Sequence, residues 1–126
     1  MVEGVVMKYE LKYLDEHGVL FLKMLAELKD ESEIKELMSE IRGEYEKHEF
    51  DRILCDISHS GSSISKEARR AFKDTASMVD FKRIAMVGGN PPMRMMAKVI
   101  LAVTGTSKNT QFFKNKDEAL KWLKEN

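Results

Sequence analysis

A chain of 126 residues, 43% apolar and 33% charged, has the mix of one globular domain. Lysine plus arginine equals aspartate plus glutamate at 21 each, so the overall charge points to no nucleic-acid partner, and no apolar stretch is long enough for stable membrane insertion. The lone Cys55 excludes an internal disulfide and suits a reducing cytoplasm, and the opening MVEGVVMKYE is too short and too charged for a secretory signal.

Lys8–Leu14 (KYELKYL) alternates polar and apolar residues, with Tyr9, Leu11 and Tyr13 on one side. Val19–Leu25 (VLFLKML) is denser in apolar residues, and the link Asp15-Glu16-His17-Gly18 predicts an antiparallel hairpin. From Glu31 to Lys47, Ile34, Leu37, Met38, Ile41 and Tyr45 recur at helical spacing among charged residues. A surface helix with one narrow apolar stripe follows, capped by Asp30. Arg52–Ile57 (RILCDI) reads as a buried strand, in which Cys55 is a small hydrophobe.

A serine-rich loop over 57–65 leads into SKEARRAFKDTASMV, whose apolar stripe is Ala68, Ala71, Phe72, Thr75, Ala76 and Val79. Arg83–Val87 (RIAMV) is a second buried strand. Gly88-Gly89-Asn90-Pro91-Pro92 then turns the chain into a helix from Pro91 to Thr104, ended by Gly105. Thr110–Phe113 (TQFF) is the last strand, and Asn115 caps the closing helix KDEALKWLK. The order is one strand, then four β–α units. Crossovers that carry helices make the strands after the hairpin parallel, which gives an α/β fold with a mixed sheet. No repeat or linker divides the chain, so residues 1–126 are expected to form a single domain.

Several short stretches carry the residue types of a functional site. Asp56, Ser58 and His59 have the chemistry of a hydrolase, yet sequence neighbours rarely aim at one point, and a polar loop needs Asp and Ser for its own backbone. His17, His48 and His59 lack the paired spacing of zinc ligands, so neither a metal nor a cofactor is expected. GGNPP follows a strand as a phosphate cradle would, but Pro91 and Pro92 offer an anion no N–H, and the Gly-Lys-Ser/Thr end of a P-loop is missing. Ser65 stands where a helix N-cap belongs. A phosphate on it would meet the positive helix end and Lys66, Arg69 and Arg70.

The helix from Pro91 is the most unusual segment. From Met93 to Val103 only Arg94 and Lys98 are charged. Met93, Met96, Ala97, Ile100 and Val103 form one apolar face, and Met95, Val99 and Ala102 form another. Two such faces mean burial on two sides, or an exposed methionine surface that adapts to a partner or a greasy ligand. Met93, Arg94, Met95, Lys98 and Val99 are the candidate interaction face. Charge is also unevenly spread. Residues 27–51 hold ten acids and four bases, net −6, and residues 52–126 hold seven acids and fourteen bases, net +7. That pattern describes solvated helix faces or a basic side that meets an acidic partner.

From Lys8 to Leu123 the pattern resembles the STAS domain superfamily, and within it the SpoIIAA-like branch of small stand-alone proteins. The phrases that carry the resemblance are RILCDIS, RIAMVGGNPPMRMMAKVI and TQFFKNKDEALKWL. In anti-sigma-factor antagonists of that superfamily a serine at the start of the second helix accepts phosphate, within Asp-Ser-Ser-Gly. The matching stretch here is Ser62-Ser63-Ile64-Ser65-Lys66-Glu67. The resemblance therefore marks Ser65 and Ser63 as phospho-acceptor candidates, although Ile64 replaces the motif's Asp and the following Gly-Leu is absent. It implies a non-enzymatic domain that binds a protein partner, or itself as a homodimer, and the residues point to the helix over 91–104 and the loop over 57–65 as the surface for that contact. The alternative it invites is a carrier of a small apolar, lipid-like ligand in a pocket beside that helix. A hydrolase is the weakest reading.

Overall fold

The computed structural model describes residues 8–59, 65–75, 80–105 and 107–125. Their strands form one five-stranded sheet in the order β1-β2-β3-β4-β5. β1 (Tyr9–Leu14) and β2 (Val19–Met24) make the antiparallel hairpin, with Tyr13 opposite Leu20. β3 (Arg52–Asp56), β4 (Arg83–Val87) and β5 (Thr110–Phe113) then add in parallel, each beside the last. The sheet is mixed, as the lengths of the connections predict.

Sequential order has a consequence for layering. Each crossover from β2 to β5 steps in the same direction, so crossovers of one hand place their helices on one face. The three crossover helices are α1 (Glu31–His48), α2 (Lys66–Thr75) and α3 (Pro91–Thr104). They share one core, in which Ile34, Leu37 and Ile41 of α1, Ala68 and Ala71 of α2 and Met93 and Ala97 of α3 meet Leu20, Ile53 and Ile84 of the sheet. No strand follows α4 (Lys116–Leu123) among the described residues, and it packs on the opposite face. There Ala119 and Leu123 cover Val19, Leu54, Ala85 and Val87.

Helix ends follow the cap residues. Asp30 Oδ1 accepts from the Glu33 N–H at 2.9 Å, and Glu33 Oε1 accepts from the Asp30 N–H at 3.3 Å, which completes a capping box at the start of α1. The Ser32 hydroxyl and the Glu33 N–H hold the Asp30 carboxyl below its usual range. Asn115 caps α4 by accepting from the Glu118 N–H at 2.9 Å. The other end of α4 is clasped by arginines from two strands. Arg83 donates to the Trp122 carbonyl at 2.6 Å, and Arg52 donates to the carbonyls of Leu123 and of Glu125. Both occupy acceptors that a helix C-terminus leaves open.

An aromatic group closes one end of the large core. Phe50 lies edge-on to Tyr45 and stacks near Phe81, while Tyr13 stacks on His48 at 3.9 Å. The opposite end, where the parallel strands finish, carries the loops considered next. We expect the α4 layer and the large core to melt together. Trp122, packed on Phe113 in the α4 layer, reports one side, and far-UV dichroism reports the helices of the other. Coincident denaturation curves are the expected result; two separated transitions would show that the layers fold independently.

Candidate functional site

Polar residues gather where β3 ends. The Asp56 carboxylate accepts from the Ser58 N–H at 2.9 Å and from the Ser58 hydroxyl at 2.6 Å. This is an Asx-turn, with the side chain serving its own backbone. A serine hydrolase puts a histidine between serine and carboxylate. Here the carboxylate accepts the serine hydroxyl's hydrogen bond directly, with no imidazole between them, while His59 is exposed. Asp56, Ser58 and His59 therefore form a turn. Among the described residues, no group of three or more His, Cys, Asp and Glu side chains is placed to hold a metal ion.

The neighbouring strand fixes this turn. The Ile57 N–H donates to the Val87 carbonyl at 2.9 Å, so the ladder runs one residue past β3. Gly88 then lies against Ser58, and a Cβ at Gly88 would come within 2.1 Å of Ser58 Oγ. Its φ of +79° independently favours glycine. Sequence reasoning assigned the glycine pair to a turn but missed its contact with the serine loop. Only the parallel register of β3 and β4 brings the two together.

Ser65 is the N-cap of α2. Its Oγ accepts from the Ala68 N–H at 3.1 Å and donates to the Lys29 carbonyl, so the cap also ties α2 to the approach to α1. Ser63, with the rest of the loop over 60–64, lies outside the described residues, as do Ala76 and Val79. The start of α3 is closed to anions. Asn90 Oδ1 accepts from the Met93 N–H at 2.9 Å, and the two residues between are prolines with no N–H.

The two apolar faces of α3 have different fates. Met93, Ala97 and Ile100 are buried against the sheet side. Met93, at 2% exposure, is core and cannot belong to an interaction face, because a separation of two residues puts it about 200° around the helix from exposed Met95. Met95 is 69% exposed and Val99 48% exposed, the large exposed hydrophobics among the described residues. Ala102 is exposed beside them. Arg94 and Lys98 flank this stripe on the β5 side, each 5.6 Å from the centre of the Phe112 ring. On the other flank an open groove of about 470 Å³ runs between α2 and α3, lined by Lys66, Arg69, Arg70, Lys73, Asp74, Val99 and Ile100. The space beside α3 is therefore an open groove with bases along its rim, rather than the enclosed cavity that would bury a lipid-like ligand.

Residues 13–126 match a family described as a domain of unknown function, DUF7793. The chain belongs to the DUF7793 family. No curated protein is significantly similar to it. Solved structures give its fold. A DUF3478 protein from Shewanella loihica PV-4 with a SpoIIAA-like fold is 19% identical over 91% of each chain, with a TM-score of 0.66. A serine-to-glutamate variant of RsbS from Moorella thermoacetica is 14% identical over 94% of this chain and 96% of its own, with a TM-score of 0.61. The Bacillus cell fate determinant SpoIIAA in its phosphorylated form is 11% identical over 90% of this chain and 97% of its own, at 0.59. This DUF7793 chain thus has the SpoIIAA-like STAS fold that its strand and helix phrases imply.

Two stability-level outcomes follow for DUF7793. Ser65→Ala removes the α2 cap and should lower stability by about 0.5–2 kcal/mol in denaturant melts, while Ser65→Asp should retain most of it. An unchanged melt for Ser65→Ala would leave the cap without energetic weight. Cys55 packs against the large core, where burial, with the Asp56 carboxylate adding to it, pushes its thiol up to about 12. A thiol held protonated is a poor nucleophile. Labelling by a disulfide reagent at neutral pH should be slow in the native protein and fast once it is denatured.

Proposed function

We propose that this chain is a non-enzymatic, cytoplasmic interaction domain that binds a protein partner, or a second copy of itself, through the outer face of α3. The carrying observation is the exposure of Met95 and Val99 on a helix that has no acid anywhere along it. A methionine and a valine left in water cost solvation and gain nothing inside the monomer, and flexible methionine suits an adaptable contact. Arg94 and Lys98 complete the face. Asp56, Ser58 and His59 would provide a neighbouring contact, because Gly88 holds Ser58 beside the start of α3. Ser65, already engaged as a cap, reads as a structural serine in this account.

One of the proteins that shares the fold, SpoIIAA, is an anti-sigma-factor antagonist. That supports a regulatory interaction as the class of function. The lone, free and partly buried thiol supports a reducing compartment.

Met95→Glu tests the reading. At an exposed position it should cost less than about 0.5 kcal/mol, whereas in a core it would bury an unpaired charge at several kcal/mol. The variant is expected to melt like the parent while losing self-association in sedimentation, or losing the proteins that the parent retains from native lysate. A folded variant with unchanged association would remove the reading.

A further inference from the structure

We propose that the groove between α2 and α3, with the Met95–Val99 stripe along its edge, docks an acidic amphipathic helix of a partner protein. The inference rests on the interaction reading above and adds the chemistry of the partner. Val99 belongs to both features, facing the groove and continuing the exposed stripe. Met95, Val99 and Ala102 recur at i, i+4 and i+7, so the stripe runs along the helix rather than across it.

Bases stand on both sides of that stripe. Arg94 and Lys98 line the β5 side, held over the Phe112 ring. Lys66, Arg69, Arg70 and Lys73 line the α2 side, at about one row per helical turn, with Asp74 the acid among them. Not all six are equally free to pair. Arg69 donates to Met96 Sδ at 3.9 Å, and Arg70 already acts on Glu31 of α1, whose carboxyl it helps to hold below its usual range after Lys35. Asp74 in turn acts on Lys35. Lys66 and Lys73 are exposed, and they are the α2 bases on which the proposal leans most.

An apolar stripe between two basic rows is complementary to a helix with an apolar stripe between two acidic rows. A second copy of this chain does not offer one in its described helices. Its acidic helix is α1, but Ile34, Leu37, Met38 and Ile41 of α1 are buried in its own core, which leaves a charged outer face with no large apolar side chain. Such a face would match the bases and leave Met95 and Val99 wet. The occupant must bring its own apolar row, so the observations favour a different protein. The groove is open rather than enclosed, which suits a helix better than a fully buried small molecule.

The probe is a synthetic peptide of about 18 residues, long enough for five turns, with leucines at i, i+4 and i+7 and glutamates on both flanks. Controls are the same composition with the leucines scattered, the same stripe with lysines for glutamates, and vesicles of phosphatidylcholine with phosphatidylglycerol. Binding is read by anisotropy, and its place by amide shifts of the labelled full chain. The striped acidic peptide should bind, move amides of α2 and α3, and weaken about tenfold as salt rises and the Debye length falls from about 10 Å to about 3 Å. The double variant Lys66→Glu/Lys73→Glu should weaken it about tenfold or more, and Met95→Glu similarly, with melts unchanged. Equal binding of the scattered or lysine peptide, shifts elsewhere, or binding to anionic vesicles alone would overturn the proposal. If Met95→Glu abolishes native association while the striped peptide fails to bind, the α3 face stands as an interface and the acidic helix falls.

Discussion

The register of β3 holds the rest of the molecule in place. β3 is the middle strand, paired in parallel on both sides, with Ile53 beside Leu20 and Ile84 and Leu54 beside Phe21 and Ala85. Its side chains alternate between the two cores, Ile53 and Cys55 toward the large one and Leu54 toward α4. A slip of one residue would exchange these sets and drive the Asp56 carboxylate into the large apolar core. The same register sets Ser58 against Gly88 and so positions the polar loop beside the start of α3. Core and candidate surface thus share a single constraint.

The layer on the other face is thin and needs its own fastening. α4 spans eight residues, too few to be a stable helix alone. It is held by a shared core in which Ala119 and Leu123 join Leu54 and Ala85, and by arginines at the starts of β3 and β4 that reach its last carbonyls. Arg83 also lies 5.0 Å from the centre of the Trp122 ring, so the same side chain fixes both the backbone and the indole. Those arginines look like ordinary strand-flanking charges in the sequence. Their partners are 39 and 71 residues away, which no local pattern reveals.

Elements were legible in the sequence wherever a local rule governs them. The hairpin, the Asp30, Asn90 and Asn115 caps and the glycine stop at Gly105 depend on residues within a turn of each other. The parallel arrangement followed from connection length, and the fold from three strand and helix phrases. The side of the sheet taken by α4 did not follow, because α4 is constrained by no further strand. The candidate site was legible by halves. Helical periodicity separates Met95 and Val99 from Met96, Ala97 and Ile100, and it also puts Met93 inward, so including Met93 in the surface contradicted the pattern itself. The α2 bases were visible only as candidate partners of a phosphate. Their place along a groove shared with α3 needed the three-dimensional neighbourhood of the two helices.

The hairpin strand β1 has its own consequence. Tyr9, Leu11 and Tyr13 turn toward the helices, while Glu10 and Lys12 turn to the other face, where α4 packs mainly on β3, β4 and β5. Glu10 pairs across the strands with Lys23, and Lys12 with Phe21, whose ring is capped in turn by Lys116 at 4.3 Å. An outer strand with a bare apolar back would be a template for stacking onto another sheet. Charged residues on that back impose a desolvation cost on every such encounter. At high concentration Glu10 and Lys12 therefore guard this side of the hairpin against amyloid-like stacking of one sheet on another.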